Sequence, residues 1–171
     1  MNIVLKLILR FAFYLLVQVL VLNQLELGLG TQMMIYPLFI ILLPVEMNIF
    51  IVLGLAFGLG LSIDGLSDTY GLHASSLLVV AYVRPWIFKA FSPRDGYEQI
   101  EETSIQNMGF FWFLQTVGIL LLIHHFWFFL LEMFKLNEIL FILQKTVLSA
   151  ILTFVICLLL QYLFVRKNSS T

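Results

Sequence analysis

The sequence predicts an all-α integral membrane protein, and two observations support this fold class. Of the 171 residues, 61% are hydrophobic and only 11% are charged, with a mean hydropathy of +1.03. Soluble domains are typically ~45–50% apolar and ~25% charged, and a chain this short cannot hide such an excess in one core. The apolar residues also form continuous runs, and a spanning helix needs ~20 of them.

Six apolar segments are predicted to be transmembrane helices of one compact bundle, a single domain over residues 1–171. Their approximate bounds are 8–27, 33–45, 47–63, 72–88, 108–131 and 139–164, with a polar loop at 89–107. The second segment is short and contains Pro37 and Pro44. As a helix it would reach only ~20 Å of the ~30 Å of hydrocarbon, so its length alone does not show that it crosses.

The distribution of basic residues predicts the topology, because lysine and arginine concentrate on the cytoplasmic side of a membrane. Six spans with a cytoplasmic N-terminus leave only Lys135 and Lys145 outside. If segment 33–45 does not cross, four basic residues fall inside and five outside. We therefore expect six spans, both termini cytoplasmic, and a cytoplasmic loop 89–107. Seven basic residues then lie inside: Lys6, Arg10, Arg84, Lys89, Arg94, Arg166 and Lys167.

Polar side chains within the spans form two stripes, and each stripe marks an inward-facing side because lipid exposure would be costly. Residues four apart share one helix face. The stripes are either seams of helix–helix packing or the lining of a polar cavity that binds a ligand. They comprise Arg10, Tyr14 and Gln18 on the first segment, and Ser149, Thr153, Cys157 and Gln161 on the sixth.

The third segment carries a G-x-x-x-G pattern, Gly54 and Gly58, which Ser62 and Gly65 continue on the same side. Glycines at this spacing let two helix backbones approach closely. The pattern predicts close packing, against either another helix of this chain or a helix of a partner.

Two adjacent histidines lie in the fifth segment, and His125 shares a face with Glu132. Such a pair is consistent with a proton relay or with metal binding. His124 points elsewhere, and no third or fourth ligand follows at metal-binding spacing. The alternative is that the run from His124 to Phe129 belongs to an aromatic belt at the membrane interface.

The densest polar group is the turn between the third and fourth segments, which contains Asp64, Gly65, Asp68, Gly71 and His73. Glycine permits the backbone angles of a tight turn. We expect Asp68 or Thr69 to cap the fourth helix and Asp64 to partner a buried cation. Two carboxylates near a membrane surface are also compatible with general acid–base chemistry, although no nucleophile accompanies them.

The loop 89–107 contains Arg94, Asp95 and Tyr97 and is interpreted as a solvated connector. Arg84, near the end of the fourth segment, is expected to extend toward the lipid headgroups. Pro85 is expected to weaken the last turn of that helix.

The block from Gly58 to Ala74 resembles the rod shape-determining protein MreD family, which shows a similar G-x-x-x-D…G-L-H-A pattern. The stretches 81–84 (AYVR), 93–98 (PRDGYE) and 123–127 (IHHFW) also resemble one branch of that family. The residues that match the family block are Asp64, Gly65, Gly71, Leu72 and His73.

This resemblance implies a non-enzymatic scaffold of the bacterial elongation machinery, located in the inner membrane and without a cofactor. Its implied partners are MreC, the MreB filament, RodA and a class B penicillin-binding protein. The implied architecture is similar to that of the substrate-binding subunits of energy-coupling-factor transporters. Nucleic acid is not expected as a partner, because a net charge of −1 offers no basic face.

Two alternatives remain open at the level of sequence. The first is a small-molecule binding subunit of a vitamin importer, in which the two polar stripes line an occluded cavity. The second is a membrane-embedded hydrolase that uses Asp64, Asp68 and His73, which requires these three side chains to converge.

Overall fold

The computed structural model describes residues 3–25, 28, 30–93, 96–97 and 103–164, and these residues are helical or irregular, with no strand among them. The prediction of an all-α chain is confirmed for this part. Two short 3-10 turns lie at Leu22–Gln24 and Leu136–Glu138. The helices are α1 (Ile3–Leu20), α2 (Pro37–Ile41), α3 (Ile49–Ser67), α4 (Leu72–Ala90), α5 (Ile105–Met108), α6 (Phe110–Met133) and α7 (Ile139–Phe164).

Four stretches of the described chain are long and apolar enough to cross a membrane, namely Val4–Gln24, Ile49–Ser67, Phe110–Met133 and Ile139–Leu163. Helix α4 has the same length as α3, 19 residues, but it is more polar. It packs against both α3 and α6, and its polar residues His73, Ser76 and Arg84 are buried. The structure thus has the helices of a multi-pass membrane protein, while the division into six spans stays a prediction.

The predicted helix over residues 33–45 is wrong. Residues 31–36 are irregular, and helix is confined to α2, Pro37–Ile41. The prolines explain this result, because a proline lacks the N–H that a helix interior requires and is tolerated in the first turn. Pro37 stands at the start of α2, and Pro44 follows shortly after its end. Residues 31–45 are called the broken segment below.

The broken segment lies in the centre of the bundle. Ile35, Tyr36, Leu38, Ile40 and Ile41 are each 0% exposed. Non-helical backbone advances up to ~3.3 Å per residue, whereas an α-helix advances ~1.5 Å. Because part of the segment is not helical, it reaches further than the same residues would in a helix.

Helices α3 and α4 form a hairpin in which the two backbones approach closely at Gly60. A Cβ atom at Gly60 would lie 2.4 Å from the Cα atom of Ala74. At Gly54, Gly58 or Gly65, in contrast, an added Cβ would meet no described atom within 4 Å outside its own stretch of helix. Packing of the G-x-x-x-G face against another helix of this chain is therefore ruled out within the described residues.

Two glycine-to-alanine variants on α3 test this assignment. Gly60→Ala should lower the free energy of unfolding by about 1–3 kcal/mol, because the new methyl group overlaps the α4 backbone. Gly58→Ala should be neutral or raise it by up to about 1 kcal/mol, because alanine favours helix and the site is open. Unfolding of the purified protein in detergent, followed by circular dichroism, measures both. Equal effects of the two substitutions would contradict the packing described.

Candidate functional site

The first half of the broken segment is held by side chains of α1 and α7. Three backbone N–H groups each donate to a side-chain oxygen at 3.0 Å: Gln32 to Ser149 Oγ, Met34 to Thr153 Oγ1, and Ile35 to Gln18 Oε1. Gln18 Nε2 also donates to the Met33 carbonyl at 3.0 Å. Backbone groups without a helix partner are tolerated at membrane depth only where protein or water satisfies them, and here side chains do so.

These contacts account for Gln18, Ser149 and Thr153 in the two polar stripes. Ser149, Thr153, Cys157 and Gln161 are all buried, as one inward face requires. Ser149 and Thr153 bond the irregular backbone of the broken segment, and Thr153 also contacts His125 on α6. Gln161 Oε1 accepts a hydrogen bond from the Ile105 N–H, at the start of α5, at 3.3 Å. In the other stripe, Gln18 is 1% exposed and Tyr14 7% exposed.

Arg84 holds the second half of the broken segment. Its Nε donates to the Ile41 carbonyl at 3.3 Å, and its Nη2 donates to the carbonyls of Leu43 and Pro44. The guanidinium also lies 4.5 Å from the centre of the Phe88 ring. Unpaired carbonyls and the negative end of a helix dipole attract a cation at the C-terminus of α2.

The prediction that Arg84 extends to the headgroups is therefore wrong, since the residue is only 2% exposed. Helix α4 continues past Pro85 to Ala90, two residues beyond its predicted end at residue 88.

Tyr36, in the middle of the broken segment, joins two histidines from different helices. Its hydroxyl oxygen lies 2.8 Å from His73 Nδ1 on α4 and 2.7 Å from His124 Nε2 on α6. All three side chains are buried. His124 Nδ1 has no hydrogen-bond partner in the described part of the chain.

His125 is bonded at both ring nitrogens. Its Nδ1 lies 2.8 Å from the Leu121 carbonyl, and its Nε2 lies 3.1 Å from Thr153 Oγ1. A carbonyl only accepts, so Nδ1 carries the proton and Nε2 accepts from the threonine hydroxyl.

Two expectations for this part of α6 are wrong. Both histidines are fully buried, as are Phe128 and Phe129, so an interfacial belt from His124 to Phe129 is wrong for these four residues. Pairing of His125 with Glu132 is also wrong, because Glu132 Oε2 accepts from Lys145 Nζ at 2.8 Å. No group of three metal-ligating side chains occurs among the described residues.

Asp64 fixes the start of α4. Its Oδ1 accepts hydrogen bonds from the Thr69 hydroxyl at 2.8 Å and from the His73 N–H at 3.0 Å, and its Oδ2 accepts from the Ala74 N–H at 2.9 Å. A carboxylate bonded to the first N–H groups of a helix stabilises its N-terminus. Asp64 thus positions His73 against Tyr36.

Two expectations for this turn are corrected. Asp64, from the preceding helix, caps α4 in place of Asp68 or Thr69, and its partners are N–H and O–H groups rather than a buried cation. Asp68 is the exposed C-cap of α3, with a φ of 53°. Gly71 has a φ of 89° at the N-cap position of α4, and Gly65 is exposed.

A cavity of about 490 Å³ opens beside this turn. Its lining includes Asn23, Gln32, Ser67, His73, Phe128 and Glu132. Glu132 accepts from Gln32 Nε2 at 3.1 Å as well as from Lys145, so its charge is neutralised by a buried lysine.

The loop after α4 is anchored at Tyr97. Its hydroxyl donates to the Phe88 carbonyl at 2.8 Å and accepts from Trp112 Nε1 at 3.1 Å. The interpretation of loop 89–107 as a solvated connector is therefore wrong at Tyr97. Arg94 and Asp95 lie outside the described residues.

Asparagine substitutions at the two acids of the turn distinguish their roles. Asp64→Asn should lower the free energy of unfolding by about 1–3 kcal/mol, because one oxygen is replaced by an NH₂ group facing a backbone donor. Asp68→Asn should have little effect, because the residue is exposed and asparagine tolerates a positive φ. Thermal unfolding in detergent measures both, and a greater loss for Asp68→Asn would contradict these roles.

Comparison with protein-family models, curated proteins and solved structures gives no match. The resemblance to the MreD family therefore rests on the motifs between Gly58 and Trp127. The candidate site is a buried, irregular segment that side chains of α1, α4 and α7 hold in place.

Proposed function

We propose that this protein is a membrane scaffold of the bacterial cell-elongation machinery, of the MreD type. In this role it binds an MreC-type protein and cell-wall synthases of the RodA and class B penicillin-binding classes in the inner membrane. The MreB filament is a further partner on the cytoplasmic side. The proposal rests on the family block around Asp64 and His73 together with one structural observation, an open face on α3.

The open face of α3 consists of Gly54, Gly58, Ser62 and Gly65. No described atom lies within 4 Å of a Cβ built at any of its glycines, outside their own stretch of helix. Ser62 donates its hydroxyl to the Gly58 carbonyl at 2.7 Å, so the face presents no unsatisfied donor. A strip without large side chains lets a second helix approach closely in lipid.

The surrounding residues favour a helix as the occupant of this face. Phe50, Phe57 and Leu61 are exposed large side chains on the same helix. In lipid, tight van der Waals packing rather than hydrophobic transfer drives association. A shallow strip of glycines beside these bulky residues offers such packing to an apolar helix.

The alternative of a vitamin-importer subunit has less support than the scaffold proposal. The stripes expected to line its ligand cavity hydrogen-bond the broken segment, through Gln18, Ser149 and Thr153. It remains an alternative because a cavity is present elsewhere, next to His73. The hydrolase alternative requires Asp64, Asp68 and His73 to converge, whereas Asp68 is exposed and both oxygens of Asp64 bind the start of α4.

Cysteine cross-linking tests the proposed interface. Cys157 is the only cysteine of the chain and is buried, so Cys157→Ala supplies the background. Single cysteines at Gly54 and Gly58 should then cross-link in cells to an MreC-type protein or a synthase. A cysteine at Gly118 on α6 is the control, because that glycine is also open but lies on another helix.

A larger side chain on the open face tests whether partner binding there maintains cell shape. Gly58→Leu should reduce recovery of the MreC-type protein in a pull-down by about tenfold, the effect of ~1.4 kcal/mol, and should round the cells as deletion does. Gly118→Leu should preserve both partner recovery and rod shape. Normal shape in the deletion strain, with no such partner recovered, would refute the scaffold proposal.

A further inference from the structure

The cavity of about 490 Å³ beside the α3–α4 turn has no part in the scaffold proposal, which uses the open face of α3. Its volume lies within the range of small-molecule sites, roughly 300–1,000 Å³. None of the residues in the two polar stripes belongs to its described lining, so it is not the cavity expected between those stripes. The lining includes three pairs of contacting side chains, each drawn from two elements: Asn23 with Ser67, Gln32 with Glu132, and His73 with Phe128.

Asn23 and Ser67 leave hydrogen-bond donors unused and are called the donor pair. Asn23 Nδ2 donates to Ser67 Oγ at 2.8 Å, and the hydroxyl proton of Ser67 has no acceptor in the described part of the chain. Asn23 Oδ1 accepts from Gln18 Nε2 at 2.7 Å, and Asn23 Nδ2 carries a second hydrogen. The donor pair therefore offers the cavity an O–H and an N–H, while its amide oxygen is already bonded.

Gln32 and Glu132 leave acceptors unused and are called the acceptor pair. Gln32 Nε2 donates to Glu132 Oε1 at 3.1 Å, and Gln32 Oε1 has no donor among the described residues. Each carboxylate oxygen of Glu132 accepts one hydrogen bond, whereas a carboxylate offers about four lone-pair sites. The acceptor pair thus presents amide and carboxylate oxygens that can still accept from a ligand.

His73 supplies one further polar atom to the cavity. Its Nδ1 lies 2.8 Å from the Tyr36 hydroxyl oxygen, and its Nε2 has no hydrogen-bond partner within the described ranges. The residue is only 3% exposed, and a buried polar atom is normally paired. Neutral imidazole carries one proton, so Nε2 is a donor in one tautomer and an acceptor in the other. A ligand hydroxyl satisfies either tautomer, because it both donates and accepts.

The charge balance of the cavity favours a neutral ligand. Glu132 is the charged side chain in the described lining, and its Oε2 lies 2.8 Å from Lys145 Nζ. The lysine reaches the cavity wall, since a Cβ atom at Gly30 would lie 3.3 Å from Nζ. An anion would meet Glu132, and a cation would compete with Lys145. Either ligand would bury a charge without a free counter-charge, which is costly.

We propose that this cavity is a binding site for a neutral, hydroxyl-rich small molecule of the polyol or sugar class. Hydroxyl groups of such a ligand accept from the donor pair, donate to the acceptor pair and bond Nε2 of His73. Leu22, Met33 and Phe128 in the lining contact its carbon frame. Small-molecule sites combine apolar walls with a few placed polar groups in this way. The proposal does not depend on the scaffold function, because the open face of α3 is absent from the described lining.

His73 provides the readout for ligand binding, because the chain contains three histidines in all. Full-length protein labelled with 15N-histidine and reconstituted in lipid bilayers is titrated at neutral pH with glycerol and with glucose. Solid-state NMR should show a saturable shift of His73 Nε2 with at least one of these polyols, since Nε2 gains a hydrogen bond. Comparison with His73→Gln assigns the resonance. His125 is the internal control, because both of its ring nitrogens are bonded within the protein.

Charged analogues of each polyol test the ligand class. Each has an acidic and a basic analogue that changes a single terminal carbon: glycerate and aminopropanediol for glycerol, and glucuronate and the terminal aminosugar for glucose. The neutral parent should bind at least about tenfold more tightly than either charged analogue, because the cavity has no free counter-charge. The same His73 resonance measures all of these affinities.

Two substitutions and a control locate the site. Ser67→Ala removes the unused hydroxyl of the donor pair and should weaken binding of the neutral polyol about fivefold, the effect of one lost hydrogen bond. Ser75→Ala is the matched control, because Ser75 lies on α4, donates to the Leu72 carbonyl and is not in the described lining. Glu132→Gln removes the counter-charge of Lys145, so the carboxylate analogue should then bind more tightly than its neutral parent.

The wild-type titrations decide the matter even if a variant does not fold. If neither polyol shifts His73 saturably, the proposal is overturned and the cavity holds water only. Charged analogues that bind as tightly as the neutral parent would also overturn it, and so would equal losses in Ser67→Ala and Ser75→Ala. An unchanged order of affinities in folded Glu132→Gln would overturn the charge balance on which the ligand class rests. None of these outcomes bears on partner binding at α3, so the ligand site and the scaffold proposal fail separately.

Discussion

Hydrogen bonding to the backbone of the broken segment is the constraint on which the rest of this structure depends. Irregular backbone in a membrane bundle has no water to bind, and each unsatisfied N–H or C=O costs several kcal/mol. Gln18, Thr153 and Ser149 satisfy N–H groups at one end of the segment, and Arg84 satisfies carbonyls at the other. These hydrogen bonds fix the positions of α1, α4 and α7 relative to the broken segment.

The path of the broken segment also determines where Tyr36 meets His73 and His124. Because the broken segment runs through the interior, Tyr36 lies between α4 and α6 and meets a histidine from each. Asp64 holds the first turn of α4 and thereby positions His73. Among the described residues, the outer face of α3 has no intrachain partner at its glycines, and this is the surface that the scaffold proposal uses.

The sequence predicted the parts of this fold that depend on apolar length and on helical spacing. The all-α class follows from the apolar runs, and the buried face of α7 follows from residues four apart. The break at 31–45 was not predicted, because its cause is tertiary: side chains distant in sequence replace the helix hydrogen bonds. Pro37 and Pro44 indicated a break, but they do not indicate which side chains bond the N–H and C=O groups that a break leaves without helix partners.

The same reason explains the errors at Arg84 and at the histidines. An arginine near a helix end and a histidine beside aromatic residues both suggest an interface by local pattern. Each is buried here because another part of the chain supplies its partner, carbonyls for Arg84 and Tyr36 for His124. Gly60 was likewise not singled out, since only the hairpin geometry distinguishes it from Gly58.

Hydrogen exchange at single amides tests the central claim most directly, because it reads the protection of the broken segment itself. In reconstituted protein, the Met34 and Ile35 amides should exchange as slowly as those in the middle of α3, although neither is in a helix. Gln18→Leu should accelerate exchange at Ile35 while leaving Met34, which is bonded to Thr153, protected. Exchange of both amides at the rate of exposed loops in the wild-type protein would contradict a segment held by the side chains of its neighbours.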